Sequence, residues 1–442
     1  MKKRNKPLFI LFTSIFFFAV LLLLFHKQPW TASEGNLDDD SIHKFLLVDS
    51  IFLDLQKKQI DSRATTIESA FQRLCRKTGF NGVVLYAEHG NIVYKEAFGY
   101  ADLAKRKTRL QIEDQFQLAS VSKMFTAAAI MILKQEEKLD YDVDLRTYIP
   151  EWPYEDYTIR LLLTHRTGIS RYESLAHDYW KDKKKPLFND DMIRLYAEYQ
   201  PNPYFKPNKG FHYCNANYAL LATVVERVSG MYFEDFMKKR IFEPLGMHHS
   251  FIYSMRGDTV VSPYIPYGID GYDASKRYIT RVKNEYLNAI LGDKMMYSTV
   301  EDLYKFNVAL DYELLVPNTL LQEAFSPGSP QYNKRKDNYG FGWRIKSDQD
   351  SAAYHYGWWK GFRSFYLRDM RNERALIVLT NKDKGPGASH FWEIINDKSI
   401  MLPPSSVNIN YVFKNTDPID EQNSPTKFAS QKDQNQKNKL PS

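Results

Sequence analysis

The sequence predicts an α/β protein in which an antiparallel sheet, built from N- and C-terminal segments, is flanked by helices and carries an inserted, mostly helical lobe. Three observations predict this fold class. Residues 83–94 have the pattern of a β-hairpin, residues 362–380 have the pattern of a second one, and the long region between them is rich in helix signals. Strands at both ends with helices between them fit one sheet that both ends of the chain build.

The N-terminal elements come first. The spacing of apolar residues predicts an amphipathic helix over residues 65–77. Residues 83–86 and 92–94 are apolar and flank a polar turn at residues 88–91, which is typical of a hairpin. The apolar run of residues 124–133 then predicts a helix that is buried nearly all round.

The middle region and the C-terminal elements follow. We expect helices at residues 158–165, 218–228 and 233–241. Strand signals return on both sides of a polar turn at residues 369–373, and a closing helix is expected at about residues 390–400.

The 442-residue chain divides into four predicted segments. They are an N-terminal anchor or signal segment (1–27), a connector (28–60), the main domain (61–402) and a tail (403–442) that we expect to be disordered because it is polar and poor in apolar residues. Of the net charge of +7, five positive charges lie in residues 1–27, which contain no acid, so the main domain is nearly neutral. Nucleic-acid binding therefore has no electrostatic support.

The N-terminal segment has the pattern of a membrane anchor. Lys2, Lys3, Arg4 and Lys6 precede an apolar run at residues 8–25, and a bilayer-spanning helix needs roughly 17–25 such residues. A weak small-residue site at residues 31–33 leaves a cleaved signal as the alternative. We favour an uncleaved anchor. Because the positive charges hold the N-terminus in the cytoplasm, we expect a single-pass protein of the cell membrane with its main domain in the periplasm or cell exterior.

No pattern points to a metal or a cofactor, and we expect neither. The two cysteines, Cys75 and Cys214, could form a bridge in an oxidising compartment. We expect none, because Cys75 lies on a predicted helix and Cys214 lies inside a candidate motif. His248 and His249 are expected in a surface turn, since no cysteine–histidine cluster has zinc-ligand spacing.

Ser120 and Lys123 form the most informative motif, at the start of the predicted buried helix. Residues three apart lie on one helix face, and an unprotonated lysine beside a serine hydroxyl can take its proton and make it a nucleophile. The simpler alternative is that Ser120 caps the helix and Lys123 extends to solvent. The sequence contains further Ser-x-x-Lys copies at Ser41/Lys44 and Ser424/Lys427. Only the Ser120 copy opens an apolar helix.

Two later motifs carry complementary chemistry. Tyr213-Cys214-Asn215 supplies a phenol that can transfer a proton and an amide that can bind a substrate carbonyl. His355-Tyr356-Gly357 is the only His-x-Gly in the chain, and its glycine would let substrate approach the strand edge beside the Trp358 amide.

With these motifs in order, the chain resembles the serine β-lactamase-like hydrolases, a family that includes class C β-lactamases, D-alanyl-D-alanine carboxypeptidases and related esterases. The resemblance covers about residues 67–400 and includes several flanking stretches. These stretches lie at residues 116–119, 161–168, 243–247, 339–343 and 378–381. The resemblance implies a β-lactamase/transpeptidase-like fold.

The resemblance also implies the site residues of an acyl-enzyme mechanism. Ser120 would attack a carbonyl, while Lys123 and Tyr213 share the base role, and which of them is the general base stays open. Tyr213 would protonate the leaving group, and Asn215 would hold the substrate amide and polarise Lys123. The oxyanion hole would be formed by the amides of Ser120 and Trp358, on the strand of His355 and Gly357. A further histidine, His165, is expected to fix its loop.

One departure from the family concerns the substrate. His355 stands where penicillin-recognising members carry lysine, and histidine is mostly neutral at pH 7, so recognition of a substrate carboxylate is in doubt unless Arg363 supplies the charge. We therefore expect a membrane-anchored, extracytoplasmic serine hydrolase that acts on an ester, amide or D-amino-acid peptide bond. The alternative is a non-turnover penicillin-binding or cell-wall-fragment sensor. The expected partners are a small-molecule or cell-wall peptide substrate and, through residues 8–25, the membrane, with no nucleic acid.

Overall fold

A computed structural model of the protein describes residues 62–274, 278–329, 337–346 and 352–397. The predicted anchor, connector and tail lie outside these residues, as do the Ser-x-x-Lys copies at Ser41 and Ser424. Within the described ranges no helix is long and apolar enough to cross a bilayer.

The described elements alternate between helices and short or long strands. In chain order the strands are β1 (Gly82–Glu88), β2 (Asn91–Phe98), β3 (Phe116–Gln117), β4 (Phe251–Ile252), β5 (Tyr272–Ala274), β6 (Ile279–Arg281), β7 (Met296–Ser298), β8 (Asn338–Tyr339), β9 (Arg344–Ile345), β10 (Ala352–Trp359), β11 (Phe362–Asp369) and β12 (Arg374–Thr380). The α-helices are α1 (62–78), α2 (Ser122–Gln135), α3 (Ile159–Leu163), α4 (Tyr172–Tyr179), α5 (Asn189–Tyr199), α6 (Asn215–Ser229), α7 (Phe233–Met237), α8 (Val300–Asp311), α9 (Asn318–Ala324) and α10 (Ala388–Ile395).

The main sheet has seven antiparallel strands in the order β2-β1-β12-β11-β10-β9-β8. The two ends of the chain meet where β1 pairs with β12, from Gly82 opposite Thr380 to Glu88 opposite Arg374. Every residue of β1 and of β12 is buried, as expected for central strands covered on both faces. The predicted fold class is confirmed: an antiparallel sheet from both ends of the chain, with helices between them.

The two faces of the sheet pack against different helices. Val84 of β1 joins a cluster with Phe71 of α1 and Phe391 of α10. Its neighbour Val83 points the other way, into the large core with α2 and the helical lobe. This alternation follows from the two-residue period of a strand, and it leaves the lobe side of the sheet beside α2 and the turn before it.

Several predicted elements have different bounds in the structure. The closing helix α10 ends at Ile395, and the helix expected at residues 233–241 gives way after Met237 to a π-helical turn, Lys238–Phe242. Both cysteines are free, as expected. Burial raises the pKa of the Cys75 thiol to about 11 and that of Cys214 to about 12, which keeps both thiols protonated.

Candidate active site

Ser120 lies in the turn that leads into the buried helix. It is the middle residue of a single 3₁₀ turn, Ala119–Val121, and α2 begins at Ser122, two residues later than the motif predicts. Ala119 has a φ of 49°, in the left-handed region that costs a residue with a side chain on the order of 1–3 kcal/mol. The turn thus holds Ser120 partly exposed in front of a helix whose residues are buried from Ser122 to Leu133.

Lys123 reaches back from α2 to this serine. Its Nζ lies 3.0 Å from Ser120 Oγ and donates to the main-chain oxygen of Asp293 at 2.8 Å. The side chain has no exposed surface, so the solvent-directed alternative for Lys123 is wrong. The structure brings the hydroxyl and the amine together as the Ser-x-x-Lys spacing predicts.

The ring of Tyr213 lies close to two basic side chains. Lys123 Nζ is 5.2 Å from the ring centroid, and Arg344 Cζ is 5.3 Å from it, distances at which cation–π attraction acts. The Tyr213 hydroxyl is shielded from solvent and has no hydrogen-bond partner among the described residues. An unpaired buried hydroxyl costs free energy unless a ligand or water pairs with it, so this oxygen marks a place for one.

Asn215 opens α6 but does not bind Lys123. Its Nδ2 donates to Oε1 of Glu173 at 2.6 Å, whereas the hydrogen bonds of Lys123 go to Ser120 and Asp293. The expectation that Asn215 polarises Lys123 is therefore not met in this structure. Asn215 Oδ1 and the second Glu173 oxygen, Oε2, are buried and unpaired within the described part of the chain.

His165 holds the segment that carries Tyr213. Its Nδ1 accepts from Asn217 Nδ2 at 2.9 Å and from the Cys214 amide at 3.3 Å, and its ring lies 4.4 Å from the Tyr213 ring. Burial, reinforced by the cations of Lys123 and its other neighbours, holds the pKa of His165 well below its usual value. A neutral ring that anchors main chain agrees with the expected loop-fixing role.

His355 is fully buried on β10, and both of its ring nitrogens are occupied. Nδ1 donates to the Tyr356 oxygen at 2.8 Å, and Nε2 accepts from the Tyr339 hydroxyl at 3.0 Å. Burial, together with the cations of Arg344 and Lys123, holds the pKa of His355 well below its usual value. The imidazole is neutral, and it has no polar atom left for a substrate.

Gly357 lets β10 approach the serine turn. A Cβ at this position would lie 2.3 Å from the Leu118 oxygen, closer than real Cβ atoms come, and 3.0 Å from the Ser120 nitrogen, which is a tight contact. Ser364, which is paired with Gly357 on the neighbouring strand β11, donates from its Oγ to the same Leu118 oxygen at 2.6 Å. A residue with any side chain would push the strand away from Ser120.

Trp358 and Arg363 lie on the opposite face of the sheet from the serine. Gly357 is paired with Ser364, and Trp358 with Arg363, so the hairpin turn reverses the parity by which Arg363 was expected to reach the site. The guanidinium of Arg363 instead donates to the Gly385 oxygen at 3.3 Å. The Trp358 side chain is 53% exposed, which leaves its main chain as the part nearest Ser120.

The structure adds charged residues that the motifs do not reveal. Arg344 of β9 lies against Tyr213 and forms no ion pair within the described ranges, and its Nε is buried without a partner. Lys294 is buried beside Asp293, where its Nζ donates to the Tyr172 hydroxyl at 2.7 Å and lies 3.3 Å from Asp293 Oδ1. The sequence contained one signal for this buried pair, because Asp293 and Lys294 are an adjacent acid and base in the otherwise apolar stretch of residues 289–296.

The comparisons with known proteins agree with this geometry. The family described as Beta-lactamase matches residues 67–396. The chain is 34% identical over 327 residues to "Penicillin-binding protein 4*" of Bacillus subtilis (strain 168), covering 72% of each chain. It is 23% identical over 319 residues to a "D-aminopeptidase" of Cereibacter sphaeroides, covering 70% of this chain and 58% of that one.

A solved structure gives the same result. The crystal structure of a penicillin-binding protein from Bacillus halodurans superposes with a TM-score of 0.63 at 26% identity, covering 74% of this chain and 98% of that one. Fold and sequence together define a β-lactamase-like serine hydrolase. The chain belongs to the Beta-lactamase family.

Proposed function

We propose that the protein hydrolyses an ester, amide or D-amino-acid peptide bond through an acyl-enzyme on Ser120. The observation that carries this proposal is the 3.0 Å contact between Ser120 Oγ and the buried amine of Lys123. A positioned base of this kind contributes roughly 10²–10⁴-fold to a rate. The relatives named penicillin-binding protein and D-aminopeptidase support a D-amino-acid substrate.

In the proposed reaction Ser120 Oγ bonds to the substrate carbonyl carbon as its proton passes to Lys123 or Tyr213. The bond to the leaving group then breaks, and Tyr213 returns a proton to that group. Water attacks the resulting acyl-serine by the same route in reverse and frees the acid and the hydroxyl. Two amides, those of Ser120 and Trp358, stabilise the oxyanion, and the close approach of Gly357 to the Ser120 nitrogen supports this arrangement.

Arg344 replaces the lysine of the penicillin-recognising members in this proposal. It is a permanent cation beside Tyr213 with no acid paired to it within the described ranges. We therefore assign recognition of a leaving-group carboxylate to Arg344. His355 has a positioning role, because the hydrogen bond between its Nε2 and the Tyr339 hydroxyl connects β10 to Tyr339.

A fluorophosphonate probe, which phosphonylates activated serines, tests the nucleophile. Wild type should be labelled at Ser120, and Ser120→Ala should abolish labelling. Ser41→Ala and Ser424→Ala are matched controls that should keep it. Lys123→Ala should slow labelling by at least about 10²-fold. Labelling that survives Ser120→Ala would disprove the mechanism. A stable penicillin adduct with no turnover of any ester or D-peptide would identify the sensor alternative instead.

We also propose that residues 8–25 anchor the protein and that its hydrolase domain is extracytoplasmic. The support is the apolar run itself and the basic residues before it. The full chain should remain in the membrane fraction after a carbonate wash, and a variant that lacks residues 2–27 should not. Recovery of a soluble mature form that begins near residue 33 would show a cleaved signal instead.

A further inference from the structure

Glu173 and Asn215 present two unpaired acceptors side by side. The pair is held together by the 2.6 Å bond from Asn215 Nδ2 to Glu173 Oε1. The other oxygen of each side chain, Glu173 Oε2 and Asn215 Oδ1, is shielded from solvent and has no hydrogen-bond partner among the described residues. Each unpaired buried acceptor is costly, and these two could be satisfied together by one donor group.

Glu173 also lacks the cation that the buried carboxylates of this protein have. Each acidic residue that is buried within the described ranges forms an ion pair. These pairs are Glu88–Arg63, Asp191–Arg194, Asp293–Lys294, Asp302–Lys305 and Asp369–Arg374. Glu173, which is half-buried, has no such pair in the described part of the chain. Its charge opposes the fall in the pKa of the nearby Lys294, but no cation among the described residues lies at salt-bridge distance from it.

The two nearby lysines, Lys294 and Lys123, form hydrogen bonds with groups other than Glu173. Lys294 Nζ lies 3.3 Å and 3.4 Å from the two Asp293 oxygens and donates to the Tyr172 hydroxyl. Lys123 Nζ bonds to Ser120 and to the Asp293 main chain. Neither amine is hydrogen-bonded to Glu173, so neither fills the position beside Oε2.

The acceptor pair adjoins the reacting groups. Asn215 is two residues from Tyr213, and the thiol between them belongs to Cys214. Burial is the main cause of the raised pKa of this thiol. The charge of Glu173 raises that pKa further and the charge of Lys123 lowers it, so both side chains lie close to the segment of residues 213–215. The acceptor pair thus shares a segment with Tyr213, the residue that the proposed reaction places beside the substrate.

We propose that Glu173 and Asn215 bind the primary ammonium group of the substrate's acyl residue. An ammonium has three donors and a positive charge, which match a carboxylate oxygen and an amide oxygen. The preferred substrates are amides, esters or peptides of an amino acid whose α-amino group is free. This inference rests on the proposed function, since it concerns the acyl side of the same reaction.

A pair of substrates that differ only at the amine tests the proposal. D-Alanine p-nitroanilide carries the free amine, and N-acetyl-D-alanine p-nitroanilide does not. Wild type should favour the free amine in kcat/KM, and Glu173→Gln should reduce that preference by roughly ten- to hundred-fold, the usual loss for one charge-assisted hydrogen bond. The glutamine keeps an oxygen that can accept from Asn215 Nδ2, so the hydrogen bond between the two side chains is preserved.

The readout is a ratio measured on one enzyme preparation, so a loss of folded protein lowers both rates and cancels. Asp178→Asn is the matched control, because it removes an exposed carboxylate from the same helix and should leave the preference unchanged. An unchanged ratio in Glu173→Gln, or no preference in a wild type that a fluorophosphonate labels at Ser120, would overturn the ammonium site while the proposed mechanism stands. Loss of Ser120 labelling in wild type would instead reject the mechanism itself.

Discussion

At the scale of single residues, the distribution of charge around the site is the basis for the substrates that we propose. His355 is neutral and fully paired, whereas Arg344 is a cation with no acid paired to it in the part of the chain that the structure describes. The absence of lysine from the third motif suggested poor recognition of carboxylates, and we propose that Arg344 of the neighbouring strand β9 supplies the missing charge. The site therefore has a cation on the β9 side of Tyr213.

The first prediction concerns this cation. Arg344→Gln should lower kcat/KM for nitrocefin, which carries a carboxylate, relative to p-nitrophenyl butyrate by roughly ten- to hundred-fold, because a charge-assisted hydrogen bond is lost. Arg363→Gln is the matched control on the other face of the sheet, and its ratio should equal that of wild type. If the Arg363 variant shows the loss and the Arg344 variant does not, the assignment is wrong.

The second prediction concerns the buried pair behind Lys123. Lys294→Met leaves the Asp293 carboxylate buried without its cation, and should lower the free energy of unfolding by about 3–5 kcal/mol. Adding Asp293→Asn should recover much of that loss. The exposed pair Lys134–Asp140 gives the control, since Lys134→Met should cost only about 0–1 kcal/mol. Denaturant titrations measure all of these values, and equal losses for the two lysines would contradict the prediction.

Residue-level predictability depended on distance along the chain. The contact of Ser120 with Lys123 follows from helix periodicity, so a sequence motif suffices to predict it. Arg344 and Glu173 reach the site only because the sheet and α4 bring distant segments together, and a lone charged residue carries no such signal. Arg363 was expected on the same face of the sheet as His355, because the two are an even number of residues apart. The turn between β10 and β11 places it on the opposite face.

At the scale of elements, the site depends on how closely β10 packs against the turn that holds Ser120. Among the described residues, β9 pairs with β10 at Ala353 and Tyr354 and nowhere further along, so the outer edge of β10 beyond Tyr354 is free to face that turn. Gly357 is the point of closest approach, where a Cβ would meet the Leu118 main-chain oxygen and the Ser364 Oγ, both at 2.3 Å. The strand cannot relieve such a contact without moving.

The third prediction tests this approach. Gly357→Ala should slow fluorophosphonate labelling of Ser120 by about 10²-fold or more, since displacing a reacting group by about 1 Å has that effect. Gly385→Ala is the matched control, because a Cβ there meets nothing within 4 Å, and it should be labelled at the wild-type rate. Normal labelling of the Gly357 variant would show that the strand does not support the site.

Elements with strong local signals were predicted well. The two hairpins and α2 are found where the apolar alternation and the apolar run indicate them. The helices α4, α5, α8 and α9 were not predicted individually. Their buried faces are set by tertiary packing, which overrides weak local preference in short helices.

At the scale of the whole molecule, buried neutral histidines couple stability to pH. The pKa values of His165 and His355 are held well below the unfolded value of about 6.5. Below that value the unfolded chain takes up protons that the folded protein does not, so folding stability is full above about pH 6.5 and falls as the pH drops. As the pH falls, each histidine then lowers the free energy of unfolding by up to about 1.4 kcal/mol per pH unit, until the pH reaches its pKa in the folded protein.

The fourth prediction follows from this coupling. Wild type should lose unfolding free energy between pH 7 and pH 5.5, and His355→Gln should show a shallower loss than wild type, whatever its stability at pH 7. His177→Gln, at an exposed position, should keep the wild-type slope. Denaturant midpoints across this range provide the measurement, and parallel slopes for wild type and His355→Gln would refute the coupling.

The pairing of β1 with β12 has a consequence for synthesis of the chain. Gly82 and Thr380 are neighbours in the sheet, yet at 5–20 residues per second a ribosome needs roughly 15–60 s to produce the chain between them. During that interval β1 has β2 on one side and an open, apolar edge on the other, and such an edge can pair with another nascent chain. Any truncation that removes β12 makes this temporary hazard permanent.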